Sequence, residues 1–450
     1  MESSAQTFEL LLDGLQSCCT RANLGQVSDI VRLTGGATME SWKFQADGEL
    51  YVLRRAPSLE FMNDRPFGHD VEAAIIRAAH SAGVSAPEVV GELAAEDGIG
   101  SGFIMRALPG TPDPKAILAM NSPAELLDEI ARDLARIHGI APARLPVAIP
   151  TLDYRQGIEG LKAQFDEAGG DRPIIALGLK WLMDNCPDPV TPVLNHGDYR
   201  MGNLLAEDGK LTGVLDWELA HFGDPHEDLA FGCMTVWRFA RIDRPALGLG
   251  SLEAYFAAYK NAGGGKVDPD RFRFWLVYRT VWWALGCLQM AKYWRTGEDR
   301  MLERVVISRR TSEQELDLLM LLEEDAPEAE RDRPLPDPHL TFTYTGEAWA
   351  GELAEAVSEW LVTIKDRLTG HDRFQLAVAR NALGMLARGE QEGDTTIDIQ
   401  AAKLVMEEGM SLNDPIWLSL LRRGALEKVA ADSPKYPALA VARKKWTGKD

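Results

Sequence analysis

Two short apolar pieces interrupt a long helical stretch of this 450-residue chain and constrain it more than any other feature: VLNHGD, ending at Asp198, and LTGVLDWE, ending at Glu218. Asn203 lies five positions after Asp198, and Asp216 eighteen after it. A loop Asp followed by an Asn, then a hairpin leading to a second Asp, brings three oxygen-bearing side chains toward one point. Phosphoryl transfer needs a carboxylate beside the acceptor hydroxyl and oxygen ligands for a Mg²⁺ that bridges the phosphates. Mg²⁺ keeps part of its water shell, so one Asp and one Asn suffice as protein ligands. Taken singly, NHGD and GDP read equally as turns with helix-capping acids. The ordered set, spread over about thirty residues, is what favours chemistry.

The rest of the chain is organised around this segment. Residues 5–22 have helical apolar spacing, and residues 30–56 read as short strands separated by LTGGAT and ADG. A helix is predicted at 69–82, followed by strands in APEVVGEL and GSGFIMRAL. After the PGTPDP turn, helices are predicted at 122–140, 155–168, 173–185, 227–240, 252–261 and 271–295, and another reaching Leu322. A β-rich first part and a helical second part give an α+β, two-lobed fold. The charged, Pro-rich stretch EEDAPEAERDRPLPDPHL, residues 323–340, is the linker candidate. Amphipathic helices at 346–369, 372–390, 397–410 and 413–431 then form an all-α domain. The expected divisions are residues 1–108, 109–325 and 340–450. No fixed-period repeat is visible.

The order and spacing of Asp198, Asn203 and Asp216 resemble the catalytic loop and metal-binding Asp of protein kinases. HGD at 196–198, DWE at 216–218 and the continuation WELAHFGDPHEDLA are similar to the aminoglycoside phosphotransferase and choline kinase superfamily. The resemblance spans about residues 20–320 and implies a protein-kinase-like fold with a small β-rich N-lobe, a larger helical C-lobe, and ATP and Mg²⁺ as cofactors. It makes Asp198 the catalytic base, or the carboxylate that orients the acceptor, and Asn203 and Asp216 the Mg²⁺ ligands. It gives His196 a structural place beneath the metal-binding segment. Asp228 resembles a helix-borne Asp that accepts backbone N–H groups of the catalytic loop, and His221 and Asp224 shape the turn between.

The N-terminal lobe supplies an independent test, because a kinase also needs a phosphate-covering turn, a cation and an acid that positions it. Gly35 and Gly36 in LTGGATMESWKF permit close backbone approach. Arg54 stands where the family pattern more often has Lys, with Glu72 on the following helix as its acid. Arg binds phosphate bidentately, so the role survives the change; Arg55 is the alternative phosphate ligand, and a solvated strand end the alternative reading of both. By resemblance FIMRALPG connects the lobes, with Met105 behind the adenine and Arg106 C=O and Leu108 N–H as its polar contacts.

IVRLTGGATMESWKF, YVLRRAP and HGDYRMGNLL look most like the phosphotransferase domains associated with acyl-CoA dehydrogenases, which implies a hydroxyacyl-CoA acceptor. An aminoglycoside or other antibiotic acceptor, and a nucleotide-binding scaffold, are the alternatives. Trp237, Arg238, Arg241, Arg244, Tyr278, Trp282, Trp283 and Tyr293 are candidate walls for the acceptor, although such aromatics are more often core. The net charge of −20 argues against a nucleic-acid partner. Five cysteines without CxxC spacing fit reduced thiols in a cytoplasmic protein. The start MESSAQTFELLLDGLQ lacks the basic region of a secretory signal. Phe272 to Trp294 is long enough to span a bilayer, but Arg273, Arg279, Gln289 and Lys292 within it make a buried helix the expected reading. Nothing in the sequence sets the oligomeric state.

Overall fold

The computed structural model describes residues 4–33, 39–58, 62, 65–146, 148–296, 298, 304, 307–335, 350–389 and 395–448. The chain divides into two compact units, one of residues 1–152, 189–233 and 243–272, the other of residues 153–188, 234–242 and 273–450.

The first unit begins with helix α1 (Ser4–Arg21) and a five-stranded antiparallel sheet of β1 (Ser28–Arg32), β2 (Glu40–Ala46), β3 (Glu49–Ala56), β4 (Val89–Glu92) and β5 (Ser101–Arg106). The order is β1-β2-β3-β5-β4, with helix α2 (His69–Ser81) inserted between β3 and β4. Strand side chains alternate between faces. Tyr51 and Leu53 of β3, Phe44 of β2 and Ile104 of β5 therefore form one buried face with Leu11, Leu15, Cys18 and Cys19 of α1. Burying one Leu of this kind contributes about 2 kcal/mol. Residues 107–110 leave the sheet, and Gly110 turns at φ +95 so close to Ala206 O and Thr212 that a Cβ would collide. Thr111 is thereby tied to Ala206 by two backbone hydrogen bonds of 3.0 and 3.1 Å.

Helix α3 (Pro123–His138) presents Leu126, Leu127, Ile130, Leu134 and Ile137 at helical spacing to the interior. Around it lie two small antiparallel pairs: β6 (Val193–Asn195) with β9 (His221–Gly223), and β7 (Leu204–Glu207) with β8 (Lys210–Val214). The helix predicted over 227–240 is shorter: α4 spans Pro225–Phe231 and stops at Gly232. A Cβ at Gly232 would lie 2.7 Å from Tyr199 O, so the chain turns away where it meets the loop after β6. Helix α5 (Leu252–Asn261) packs on α3.

The second unit is helical: Tyr154–Glu167, Pro173–Asp184, residues 273–296 of a helix that begins at Pro269, Thr311–Leu322, Ala350–Thr363, Gly370–Arg388, Thr395–Glu407, Trp417–Asp432 and Pro437–Thr447. The last of these was not expected from the sequence. Among the described residues no helix is long and apolar enough to cross a membrane, including the one that carries Phe272 to Trp294. The linker candidate is structured over its first part. Glu323–Asp325 and Glu328–Arg331 are helical, and the buried Glu323 carboxylate accepts from Arg422 at 2.8 Å and from Trp446 Nε1 at 2.7 Å and is paired with Lys445. Residues 336–340 lie outside the described residues.

Candidate active site

Alternation along β3 separates its two arginines. Arg55 shares a face with Tyr51 and Leu53 and is bonded there to Glu40 Oε2 at 2.9 Å and Ile99 O at 2.9 Å. Arg54 points the other way, into the space between α2 and the DWE segment. Its Nη2 donates to Asp216 Oδ1 at 2.7 Å and to Glu218 Oε2 at 2.5 Å, and its Nε lies 3.3 Å from Glu72 Oε1. The last contact is an ion pair whose geometry falls short of a hydrogen bond. Burial pushes the Glu72 carboxyl up to about 7 against the pull of Arg54. The same surroundings hold Arg54 charged, because the three acids outweigh the cost of its burial. Gly35 and Gly36 lie outside the described residues; the flanking strands pair, with Leu33 N donating to Ser41 O at 2.8 Å.

The HGD loop is built on buried polar contacts. Asp228, on α4, accepts from His196 N at 2.6 Å and Gly197 N at 2.9 Å, and faces His138 Nε2 at 3.2 Å. Burial alone would raise its pKa, but these donors bring it down to about 2. His196 Nδ1 faces the N–H of Asp198 at 3.2 Å and therefore accepts, so Nε2 carries the proton and donates to Leu215 O at 3.0 Å. Full burial lowers its pKa, and the ring is neutral. It thus ties the HGD loop to the residue before Asp216. Gly197 takes φ +81, and a Cβ there would meet Leu219 O at 2.2 Å. Asp216 itself holds φ +68, at a cost of about 1 kcal/mol that Asp tolerates better than branched residues.

Asp198 is buried, and both of its oxygens are engaged. Arg200 Nε donates to Oδ1 at 2.7 Å and Nη2 to Oδ2 at 3.2 Å, while Asn203 Nδ2 donates to Oδ2 at 2.5 Å and to Asp198 O at 3.0 Å. Burial and the Asp216 charge raise the Asp198 carboxyl to about 6, with Arg200 and Asn203 opposing. An amide whose nitrogen is pinned on Asp198 turns its oxygen, the atom a cation needs, away from that carboxylate. Asp216 spends one oxygen on Arg54. One Asn oxygen and one Asp carboxylate are donor types that Mg²⁺ accepts.

The structure brings Arg54, Glu72 and Asp216 together, and separately ties Asp198 to Asn203. Met105 is half-buried on β5, and Arg106 is exposed, its side chain on Glu88 at 2.7 Å. Leu108 N–H has no acceptor among the described residues. Asp224 caps α4 and binds Arg271 at 2.7 Å, and His221 is bonded to Glu227 at 2.9 Å. Of the acceptor-wall candidates in the second unit, Trp237 and Tyr278 are core, Trp237 packing 5.3 Å from Trp283 and Tyr278 lying 5.1 Å from Trp275, whereas Arg238, Arg241, Trp282, Trp283 and Tyr293 are partly exposed. Three charged residues were not foreseen as site groups: Glu218, Arg65, whose Nη1 donates to Glu218 Oε2 at 2.6 Å, and Arg200. The signals for Glu218 and Arg200 are a second acid after Asp216 and a base inside the loop. Arg65 offers none.

The chain belongs to the phosphotransferase enzyme family known as APH, whose family model matches residues 29–275. It is 29% identical over 261 residues to acyl-CoA dehydrogenase family member 10 of Mus musculus, covering 52% of this chain and 23% of that protein. It is 30% identical over 241 residues to acyl-CoA dehydrogenase family member 11 of Gallus gallus, covering 51% of this chain and 30% of the relative. The chain thus spans less than a third of either relative. Hygromycin-B 4-O-kinase of Escherichia coli is 28% identical over 222 residues, covering 45% of this chain and 61% of that one. A crystal structure from Ralstonia eutropha, assigned as an aminoglycoside phosphotransferase, superposes with a TM-score of 0.55 at 21% identity, covering 68% of this chain and 97% of the other. The fold is therefore α+β and kinase-like, with a β-rich N-terminal region, a helical remainder and a further helical region at the C-terminus.

Proposed function

We propose that this protein transfers the γ-phosphate of ATP to a hydroxyl group of a small molecule. The observation that carries the reading is the joint placement of Asp198 against Asn203 and of Arg54 against Asp216 and Glu72. In this reading Asp198 orients the acceptor hydroxyl and takes its proton as the phosphorus–oxygen bond forms. Asn203 and Asp216 would hold Mg²⁺, which when bound offsets charge on the phosphates. Arg54, positioned by Glu72, contacts phosphate oxygens, and Leu108 N–H and Arg106 C=O bind adenine. A hydroxyacyl-CoA is the acceptor we place first, on the relatives named as acyl-CoA dehydrogenase family members; the hygromycin-B kinase relative favours an aminoglycoside as the second reading. An ATP-consumption screen across hydroxyacyl-CoAs, aminoglycosides, macrolides and amino alcohols tests both. Turnover with a hydroxyacyl-CoA only is expected. Turnover confined to an aminoglycoside reverses the order, and ATP binding without any acceptor leaves a scaffold.

We further propose that residues 340–450 form an accessory domain that supplies no catalytic group, the boundaries 1–108 and 109–325 marking the two kinase lobes. A chain ending at Asp325 is expected to retain Mg·ATP binding, since every group assigned above precedes Leu219. It should melt at a lower temperature, because Glu323 loses Arg422, Lys445 and Trp446, and the helix Thr311–Leu322 loses its cover. Differential scanning calorimetry with and without Mg·ATP measures both. A well-folded truncation that binds no nucleotide would show that the tail contributes to the site.

A further inference from the structure

A single carboxylate oxygen bridges two guanidinium groups beside the proposed phosphate site. Glu218 Oε2 accepts from Arg54 Nη2 at 2.5 Å and from Arg65 Nη1 at 2.6 Å. The two arginines come from different elements, Arg54 from β3 and Arg65 from the segment that enters α2. Both are largely buried, with side chains 14% and 17% exposed. Surface ion pairs of long side chains fray readily; these are short, and the cations converge on one point. Arg65 has no role in the site built from Asp198, Asn203, Asp216, Arg54 and Glu72. Two like charges held this close repel unless an anion lies between them, and Glu218 is that anion.

We propose that Arg65 is a second phosphate-binding cation of the nucleotide site, and that Glu218 is its resident counter-anion, standing in the nucleotide-free protein where a polyphosphate oxygen stands in the complex. The inference rests on the nucleotide reading above. Guanidinium groups bind phosphate oxygens through the same forked N–H donors that they offer carboxylates. Glu218 keeps Arg54 and Arg65 gathered, and it competes with the incoming polyphosphate for them. Removing Arg65 therefore weakens polyphosphate binding, whereas removing the charge of Glu218 strengthens it wherever no divalent cation contributes.

Isothermal titration of the full-length protein with ATP in excess chelator, with ATP plus Mg²⁺, and with adenosine tests this. Arg65→Ala is expected to lose about tenfold in ATP affinity, the scale of one charge-assisted hydrogen bond, with adenosine affinity unchanged. Arg65→Lys, which keeps the charge but loses the fork, should fall between and guards against a folding defect of the Ala variant. Glu218→Gln should bind metal-free ATP several-fold more tightly, on the order of the gain from removing one competing anion. If Arg65→Ala and Arg65→Lys bind ATP as the unaltered protein does, Arg65 is no phosphate ligand. If Glu218→Gln binds metal-free ATP more weakly, Glu218 only positions the arginines and the counter-anion assignment falls. An unaltered protein that binds neither ATP nor adenosine would instead overturn the nucleotide reading itself.

Discussion

Asp198→Asn is expected to lower turnover by about 10²–10⁴-fold, the usual contribution of a positioned base, while leaving Mg·ATP affinity largely intact. The substitution keeps the shape of the side chain but removes its capacity to accept a proton. Asp198 is bonded to Arg200 and Asn203, and none of its described contacts reaches Arg54, the proposed phosphate ligand. Asp216→Asn should instead weaken metal-dependent nucleotide binding, because Asp216 bonds Arg54 and is the proposed metal carboxylate. Single-turnover kinetics combined with binding titration separates the two effects; equal binding defects in both variants would refute the division of roles. The pH profile adds a second readout. With Asp198 raised to about 6, its base form fills as pH rises through that value, so kcat/KM should climb across an acid limb near pH 6. Asp198→Asn should show no such limb in its residual rate.

The sign of the same shift for stability runs opposite to the activity. A carboxyl whose folded pKa is raised contributes stability that is full below its unfolded value and is lost as pH rises through the folded one. Asp198, at about 6, and Glu72, at about 7, therefore both cost stability in the range where the ionised site would work.

The pairing of Asp198 with Asn203 was legible because it is local in sequence. Asp198 and Asn203 sit within one loop, so their spacing places them together, and the hairpin that follows carries Asp216 to Arg54. Arg54 was legible as one of two candidates, and strand alternation decides between them: Arg55 is committed to Glu40 on the opposite face. Arg65 was invisible, since it reaches Glu218 across 153 residues and no local pattern encodes that contact. The helical periodicity of α3 and α5 gave their extents to within two residues, whereas the break at Gly232 depends on the approach of Tyr199 O, a tertiary fact. The linker candidate misled for a related reason. A run of charge reads as solvated, yet Glu323 is fully buried because Arg422, Lys445 and Trp446 arrive from about a hundred residues away to pair with it.

Asp228→Ala should destabilise the protein more than any single change among the groups argued to do chemistry, by about 3–5 kcal/mol, the cost of stripping one partner from a buried charged network. The carboxylate accepts from the N–H groups of His196 and Gly197, and it faces His138, whose Nδ1 lies 2.7 Å from Tyr259 OH. Its removal takes a charged acceptor from two buried amides and loosens the loop that carries Asp198, so activity should fall further than the unfolded fraction explains. Asp228→Asn keeps one carbonyl acceptor and should lie between. The pH dependence gives the mechanism a signature. Because the folded pKa is depressed to about 2, the stabilisation is present above the unfolded value near 3.9 and is lost only as pH falls through about 2. The gap in unfolding free energy between the unaltered protein and Asp228→Ala, measured by urea denaturation, should therefore stay constant from about pH 5 to 8 and narrow in acid. A variant that unfolds with the unaltered protein at neutral pH would mean that the HGD loop is held by other contacts.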